Sequence, residues 1–116
     1  MRLSEAIRLG AMMTKPAYGI IGTNRRRCAL GAAGFAIGYT AWWPRGIWHA
    51  LEAEWPWLFD VSRTRFCPLC GDDRKFLAAI LWHLNDTHRM SREWSADWVS
   101  LTIEPQEAGV SAILSR

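Results

Sequence analysis

The sequence has too few cysteines for a disulfide framework, and an odd number of them: Cys28, Cys67 and Cys70 are all it contains. Small secreted scaffolds use cysteine in even numbers, so these three point to a reducing compartment, the cytoplasm. Long apolar runs are also missing. The uncharged stretch CALGAAGFAIGYTAWW, from 28 to 43, falls short of the roughly 20 residues that span a bilayer. It is rich in glycine and is expected to be a buried core helix, although the Gly34-xxx-Gly38 spacing and the flanking arginines keep a membrane-associated role as a third reading. The opening MRLSEAIRLGAMM carries Glu5 and Arg8 where a secretory signal needs uninterrupted apolar chain, and so predicts a short amphipathic helix. There is no Ser/His/Asp set, no phosphate-cradling glycine loop and no paired-carboxylate motif, so no catalytic residues are assigned and no enzyme is expected. With no internal repeat and no long linker, the chain reads as one domain.

What is present suits a folded core. Half the residues are hydrophobic, eight are Trp and 22% are charged, a globular composition. A chain of this length buries about two thirds of its unfolded surface around a single modest core. Periodicity predicts a helix over 4–13 capped by Ser4, a short extended piece at 18–22, and a small-residue helix over about 28–37. A further helix starts at Pro44 and carries Ile47, Trp48, Leu51 and Trp55 on one face until Pro56 ends it. RTRFCPLCGDD reads as two short strands around a turn, followed by a helix over 76–86 and another from 92 to about 101 after Ser91. The expected fold is mainly α with a small β-hairpin, an α+β arrangement in one compact domain over 1–103. A zinc knuckle occupies 65–90, and a weakly structured tail runs from 104 to 116.

Positive charge gathers in the first half of the chain. Its sharpest feature is Arg25-Arg26-Arg27. Cations in the first turn of a helix oppose its dipole by about 0.3–1 kcal/mol each, so either the helix begins near Cys28 or the cluster is kept for an anionic partner. Arg25, Arg26 and Arg27 are therefore candidate partner-binding residues. Cys28 lies among small apolar neighbours and reads as a buried thiol acting as a small hydrophobe.

The most specific motif is CPLCGDDRKFLAAILWHLNDTH, over 67–88. Its Cys-x2-Cys-x12-His-x4-His intervals match those of a structural C2H2 zinc site, with thiolates from a turn and imidazoles from a helix end. Two thiolates and two neutral imidazoles neutralise Zn²⁺ and fill its tetrahedron. Cys67, Cys70, His83 and His88 are thus the expected ligands of one structural zinc per chain, and Asn85 and Asp86 are candidates to orient an imidazole.

DNA reading does not follow from the motif. The base-contacting positions of a ββα finger correspond here to Phe76, Ala79 and Trp82, none of which offers the paired donors or acceptors that distinguish bases. The aromatic residue expected four positions after the second Cys is replaced by Arg74. The Phe76, Ala79 and Trp82 face is expected to pack on the Trp-rich part of the chain. Nor is a deaminase-type zinc expected: Glu52 follows His49 by three residues, no Pro precedes Cys67, and four protein ligands leave no position for water.

Together, SEAIRLGAM, CALGAA, WPWL, CPLC and HLNDTHRMSREWSADWV resemble a set of small proteins encoded by tailed bacteriophages and proteobacterial prophages. That pattern usually has Trp at the position of Met90 and an aliphatic residue at Ser95, which moves the expected apolar face of the last helix to Trp94, Trp98 and Leu101. The resemblance carries the same four ligands and implies a phage accessory protein in the cytoplasm of a bacterial host, without naming an activity. The expected function is a zinc-stabilised binding protein that engages a host protein or complex. The alternative is nucleic-acid binding, with Arg25, Arg26, Arg27, Arg63, Arg65, Arg74 and Lys75 on phosphates.

Overall fold

The small-residue segment after Cys28 forms the centre of the molecule. In the computed structural model, which describes residues 1–19, 23, 25–40, 44–62, 65–74 and 76–107 (without the side chains of 44 and 45), it is the eight-residue helix α2, Ala29–Ala36. Residues Ala29, Leu30, Gly31, Ala32, Ala33 and Gly34 are all buried, as an apolar helix covered on every side must be. The expectation of a core helix is met, and among the described residues no helix is long and apolar enough to cross a membrane. Most of the extended piece expected at 18–22, together with Asn24, Arg63, Lys75 and the tail from 108, lies outside the described residues.

Helix α1, Leu3–Met13, lays its most extensive contact on α2. Its buried residues Leu3, Ala6, Ile7, Gly10 and Ala11 recur at helical spacing, and Gly10 is where the two backbones meet. A Cβ there would lie 1.8 Å from the carbonyl oxygen of Ala32, so any side chain would force the helices apart. The helix starts two residues earlier than a Ser4 cap would give: Arg2 is its N-cap, and Glu5 accepts from the Arg2 backbone N–H at 3.3 Å and from its guanidinium at 2.8 Å. Ser4 is buried inside the helix and donates through its N–H and hydroxyl to Glu104, at 2.7 and 2.9 Å.

Two minimal strand pairs flank the helices. β1, Lys15–Pro16, pairs in parallel with β2, Arg26–Arg27; β3, Arg65–Phe66, pairs antiparallel with β4, Asp73–Arg74. Between them α3, Pro44–Glu54, buries Ile47 and Leu51, and Trp55 just beyond its end, before a 3₁₀ turn at Pro56–Phe59. α4, Leu77–Asp86, and α5, Arg92–Trp98, complete the core. Ser91 caps α5 as expected, its hydroxyl accepting from Trp94 N–H at 3.0 Å. The chain continues through a π-helical turn, Val99–Ile103.

Two expectations for the C-terminal part change. The buried face of the last helix is Arg92, Ser95, Ala96, Val99 and Ile103, while Trp94 and Trp98 are only partly covered and Leu101 is 79% exposed. Arg92, Ala96, Val99 and Ile103 recur at spacings of four and three, so the buried stripe runs along the side opposite Trp94, Trp98 and Leu101. Residues 104–107, placed by the sequence in a weakly structured tail, are helical. Glu104 ties them to Ser4, and Gln106 and Glu107 accept from Arg65 at 3.1 and 3.3 Å.

Two buried arginines, Arg92 and Arg27, form no ion pair among the described residues. Arg92 donates to Thr14 Oγ1 at 2.6 Å and to the carbonyls of Thr14 and Ala11 at 2.9 and 3.1 Å. It thereby satisfies the end of α1 where the helix dipole favours a cation. Arg27 donates to the carbonyls of Gly31 and Thr40, both at 3.3 Å, and stacks 5.4 Å over the ring of Phe35. Burial lowers both guanidinium pKa values.

Gly10→Ala is expected to cost at least about 3 kcal/mol, because backbone rather than a movable side chain occupies the space; urea denaturation will measure it. Ser95 is fully buried and its hydroxyl has no hydrogen-bond partner among the described residues. Ser95→Ala should therefore raise stability by about 1 kcal/mol, read as a higher thermal midpoint.

Candidate metal centre

The hairpin and the end of α4 bring four metal-binding side chains together. In the turn between β3 and β4, Gly71 N–H donates to the Cys67 carbonyl at 2.9 Å and Cys67 N–H to the Asp72 carbonyl at 2.8 Å. Gly71 takes φ +76, a left-handed conformation that glycine adopts freely, and this folds Cys70 back toward Cys67. His83 lies in the last turn of α4. His88 follows the helix end, where its N–H and that of Thr87 both donate to the His83 carbonyl, at 3.3 and 2.9 Å. Arg89, with φ 50, then reverses the chain.

The ligand atoms of Cys67, Cys70, His83 and His88 lie within 4.8 Å of one another. His83 Nε2 is 3.3 Å from Cys70 Sγ and 3.1 Å from His88 Nε2, and the two rings meet edge to face. A tetrahedral ion with bonds of about 2.0–2.3 Å sets its donors about 3.3–3.8 Å apart, so this cluster needs only small adjustments to hold one. The chemistry also fits. Desolvation lowers the His83 pKa, and Arg74 and His88 lower it further, which favours the neutral imidazole that metals bind. Four side chains that can bind a metal ion are thus assembled as the sequence spacing predicts.

The residues around the ligands differ from expectation. Asn85 and Asp86 do not touch the imidazoles: Asn85 donates to the Ala17 carbonyl at 2.8 Å and to Asp86 at 2.7 Å, while Asp86 accepts from Gly19 N–H at 2.9 Å. They pin the 17–19 segment to α4, because helix periodicity turns them away from His83. Arg74 is the neighbour that sequence reasoning missed in this role, with its guanidinium 3.0 Å from His83 Nδ1 and 3.1 Å from Asp72. A guanidinium only donates, so the contact is a hydrogen bond only while Nδ1 keeps its lone pair and Nε2 the proton; an ion held at Nε2 would need the other tautomer, in which Arg74 and Nδ1–H are both donors. Only the hairpin register, which carries Arg74 back over the turn, brings it there.

The arginine cluster is divided. Arg25 and Arg26 are exposed, whereas Arg27 is fully buried and cannot belong to a partner-binding surface with them. Helix α2 begins at Ala29 after Cys28, whose Sγ accepts from Gly31 N–H at 3.4 Å, so the arginines precede its first turn and escape the dipole penalty. Of the other basic residues considered for phosphate binding, Arg65 pairs with Glu107 at 3.3 Å and Arg74 with Asp72 at 3.1 Å.

The would-be base-reading face is the third difference. Trp82 was expected to be buried, yet it is 38% exposed. It packs 5.5 Å from Trp48, which stands edge-on to Phe59 at 5.9 Å, and Phe59 lies 6.1 Å from Phe76. These four rings and Ala78 line an open apolar cleft of about 180 Å³ between α3, the 3₁₀ turn and α4. The rings meet edge-on or tilted and leave part of their surface uncovered, so the expected packing is incomplete.

Comparison with protein-family models, with curated proteins and with solved structures finds no match to this chain.

Cys28 lies apart from the metal-binding group and is buried, as its small neighbours suggest. Burial pushes its thiol from an ordinary 9.0 up to about 11. Between those values an unfolded thiol has lost its proton while the folded one keeps it, so the unfolded state binds fewer protons. Stability from this group is complete below pH 9 and falls as pH rises toward 11, by about 2–3 kcal/mol. Urea midpoints should drop over that interval in the parent protein and drop less in Cys28→Ala.

Proposed function

We propose that this protein is a zinc-stapled binding module of a phage or prophage, which engages a host protein or protein complex through the aromatic cleft beside its metal centre. The observation that carries this reading is the open row of Trp48, Phe59, Phe76 and Trp82. Trp and other large apolar side chains in preformed clefts are the usual anchors of protein interfaces. Here three elements fix the rings, so little side-chain freedom is lost when a partner covers them.

Zinc is the ion that suits two thiolates and two imidazoles in a tetrahedron. When bound, it crosslinks the β3–β4 turn to the end of α4. Cys67 and Cys70 would hold it from the turn, and His83 and His88 from either side of the helix end. Such sites contribute roughly 10–16 kcal/mol of apparent binding energy near neutral pH, a large amount for a core of this size. Four protein donors leave no coordination position for water, which supports binding rather than catalysis. The reducing cytoplasm of a bacterial host would keep both thiols available, and the phage context rests on the sequence resemblance alone.

Purified protein is expected to carry one zinc per chain, and Cys70→Ser should lose the metal and much of its near-UV Trp signal. A chain that folds fully without zinc would make the site incidental. Trp82→Ala, at a partly exposed ring, should cost about 1–2 kcal/mol, below the 3–5 kcal/mol of a fully buried Trp. It should abolish capture of the partner in affinity purification from bacterial cells. Undiminished capture by a folded Trp82→Ala protein would move the binding surface elsewhere.

A further inference from the structure

The end of α1 and the β1–β2 pair form a second surface, remote in character from the aromatic cleft. In the parallel register Lys15 stands opposite Arg26, with Arg25 beside them, its carbonyl accepting from Lys15 N–H at 2.7 Å. Like charges placed opposite one another on a strand pair repel. All three side chains are exposed. The ion pairs among the described residues join Arg2 to Glu5, Arg8 to Asp97, Arg65 to Glu107 and Arg74 to Asp72, and so include none of the three. Two further cations lie behind them, since Arg92 is held at Thr14 and Ala11, and Arg27 lies under Phe35.

Beside these cations stand two exposed apolar side chains, Met12, at 84% the most exposed large apolar side chain among the described residues, and Met13 at 59%. One hollow brings them together with Lys15, Arg25 and Arg26, and an adjoining one adds Phe35 and Thr40 around Met13 and Arg25; no acidic side chain lines either. Nucleic-acid phosphates would be met by the cations but would leave both methionines without a use. Flexible apolar side chains that project through a collar of cations match the layered chemistry of an anionic bilayer, with phosphate outside and hydrocarbon beneath.

We propose that this surface docks on an anionic lipid membrane, with Met12 and Met13 entering the acyl boundary and Lys15, Arg25 and Arg26 lying at the headgroups. The protein lies on the membrane and does not cross it. The docking surface is separate from the aromatic cleft, so the protein can bind lipid and a protein partner at once, and neither reading depends on the other.

Vesicle flotation tests the proposal with the full zinc-loaded protein. It should float with phosphatidylcholine vesicles containing one third phosphatidylglycerol and not with phosphatidylcholine alone, and added salt should weaken the binding. Each cation near the surface contributes about fivefold, so a triple Lys15→Gln, Arg25→Gln, Arg26→Gln variant should lose roughly a hundredfold. Met12→Gln with Met13→Gln should lose about tenfold with metal content and near-UV signal unchanged. In the unaltered protein, anionic vesicles should protect Met12 and Met13 from peroxide oxidation, whereas random-sequence DNA should not. Failure to float with anionic vesicles overturns the proposal. So does unchanged lipid affinity in the methionine variant, or protection of both methionines by DNA, which would make the surface a polyanion site.

Discussion

The fold depends on one absence of side chain. Gly10 lets the backbone of α1 come against Ala32 of α2, and α2 in turn touches every other helix. A helix of small residues gives little area per residue, so it gains by close approach, where many weak dispersion contacts act at once. Gly34 repeats the device more loosely toward α3, where an added Cβ would lie 3.3 Å from Ile47. The first part of the apolar stretch that raises the question of a membrane is apolar for this reason: Ala29–Gly34 of its helix are all buried in protein.

Close helix packing makes chain ends a problem, because their free carbonyls must be satisfied where water has little access. The molecule uses arginine for this. Arg92 reaches from α5 into the end of α1, and Arg27 reaches the Gly31 and Thr40 carbonyls around α2. Among the described residues neither forms an ion pair, and Nε of each is without a hydrogen bond. A buried cation held by carbonyl dipoles, one hydroxyl or an aromatic ring, with no carboxylate, is costly, yet the arrangement ties α5 to α1 and Arg27 to α2.

Metal centre and aromatic cleft are also mechanically connected. Both are built on α4, with the cleft on the face carrying Phe76 and Trp82 and the ligand His83 one residue further round the helix. An ion that ties the hairpin to the helix end holds α4 at the angle that keeps Trp82 against Trp48. Zinc in this reading is a support for a surface, and loss of metal would loosen the cleft before it unfolded the remote α1–α2 pair.

Sequence alone determined the features that rest on local spacing. The clustering of Cys67, Cys70, His83 and His88, which could hold a metal ion, was legible because a turn and one helix end set their separation almost without help from the rest of the chain. Helices α1 to α5 were legible in outline because apolar periodicity and caps such as Ser91 act within a few residues. Tertiary structure decided what depends on which surface meets which. It buried Arg27 while leaving Arg25 and Arg26 exposed, a division invisible in a run of three identical residues. It turned Asn85 and Asp86 toward 17–19 and brought Arg74 to His83, because the hairpin register sets that neighbour and the interval to the ligand does not. It half-opened the Trp82 face and laid the buried stripe of the last helix on the side away from Leu101. Periodicity gives the apolar side of a helix, but how much of that side is covered depends on the length and angle of the elements lying across it.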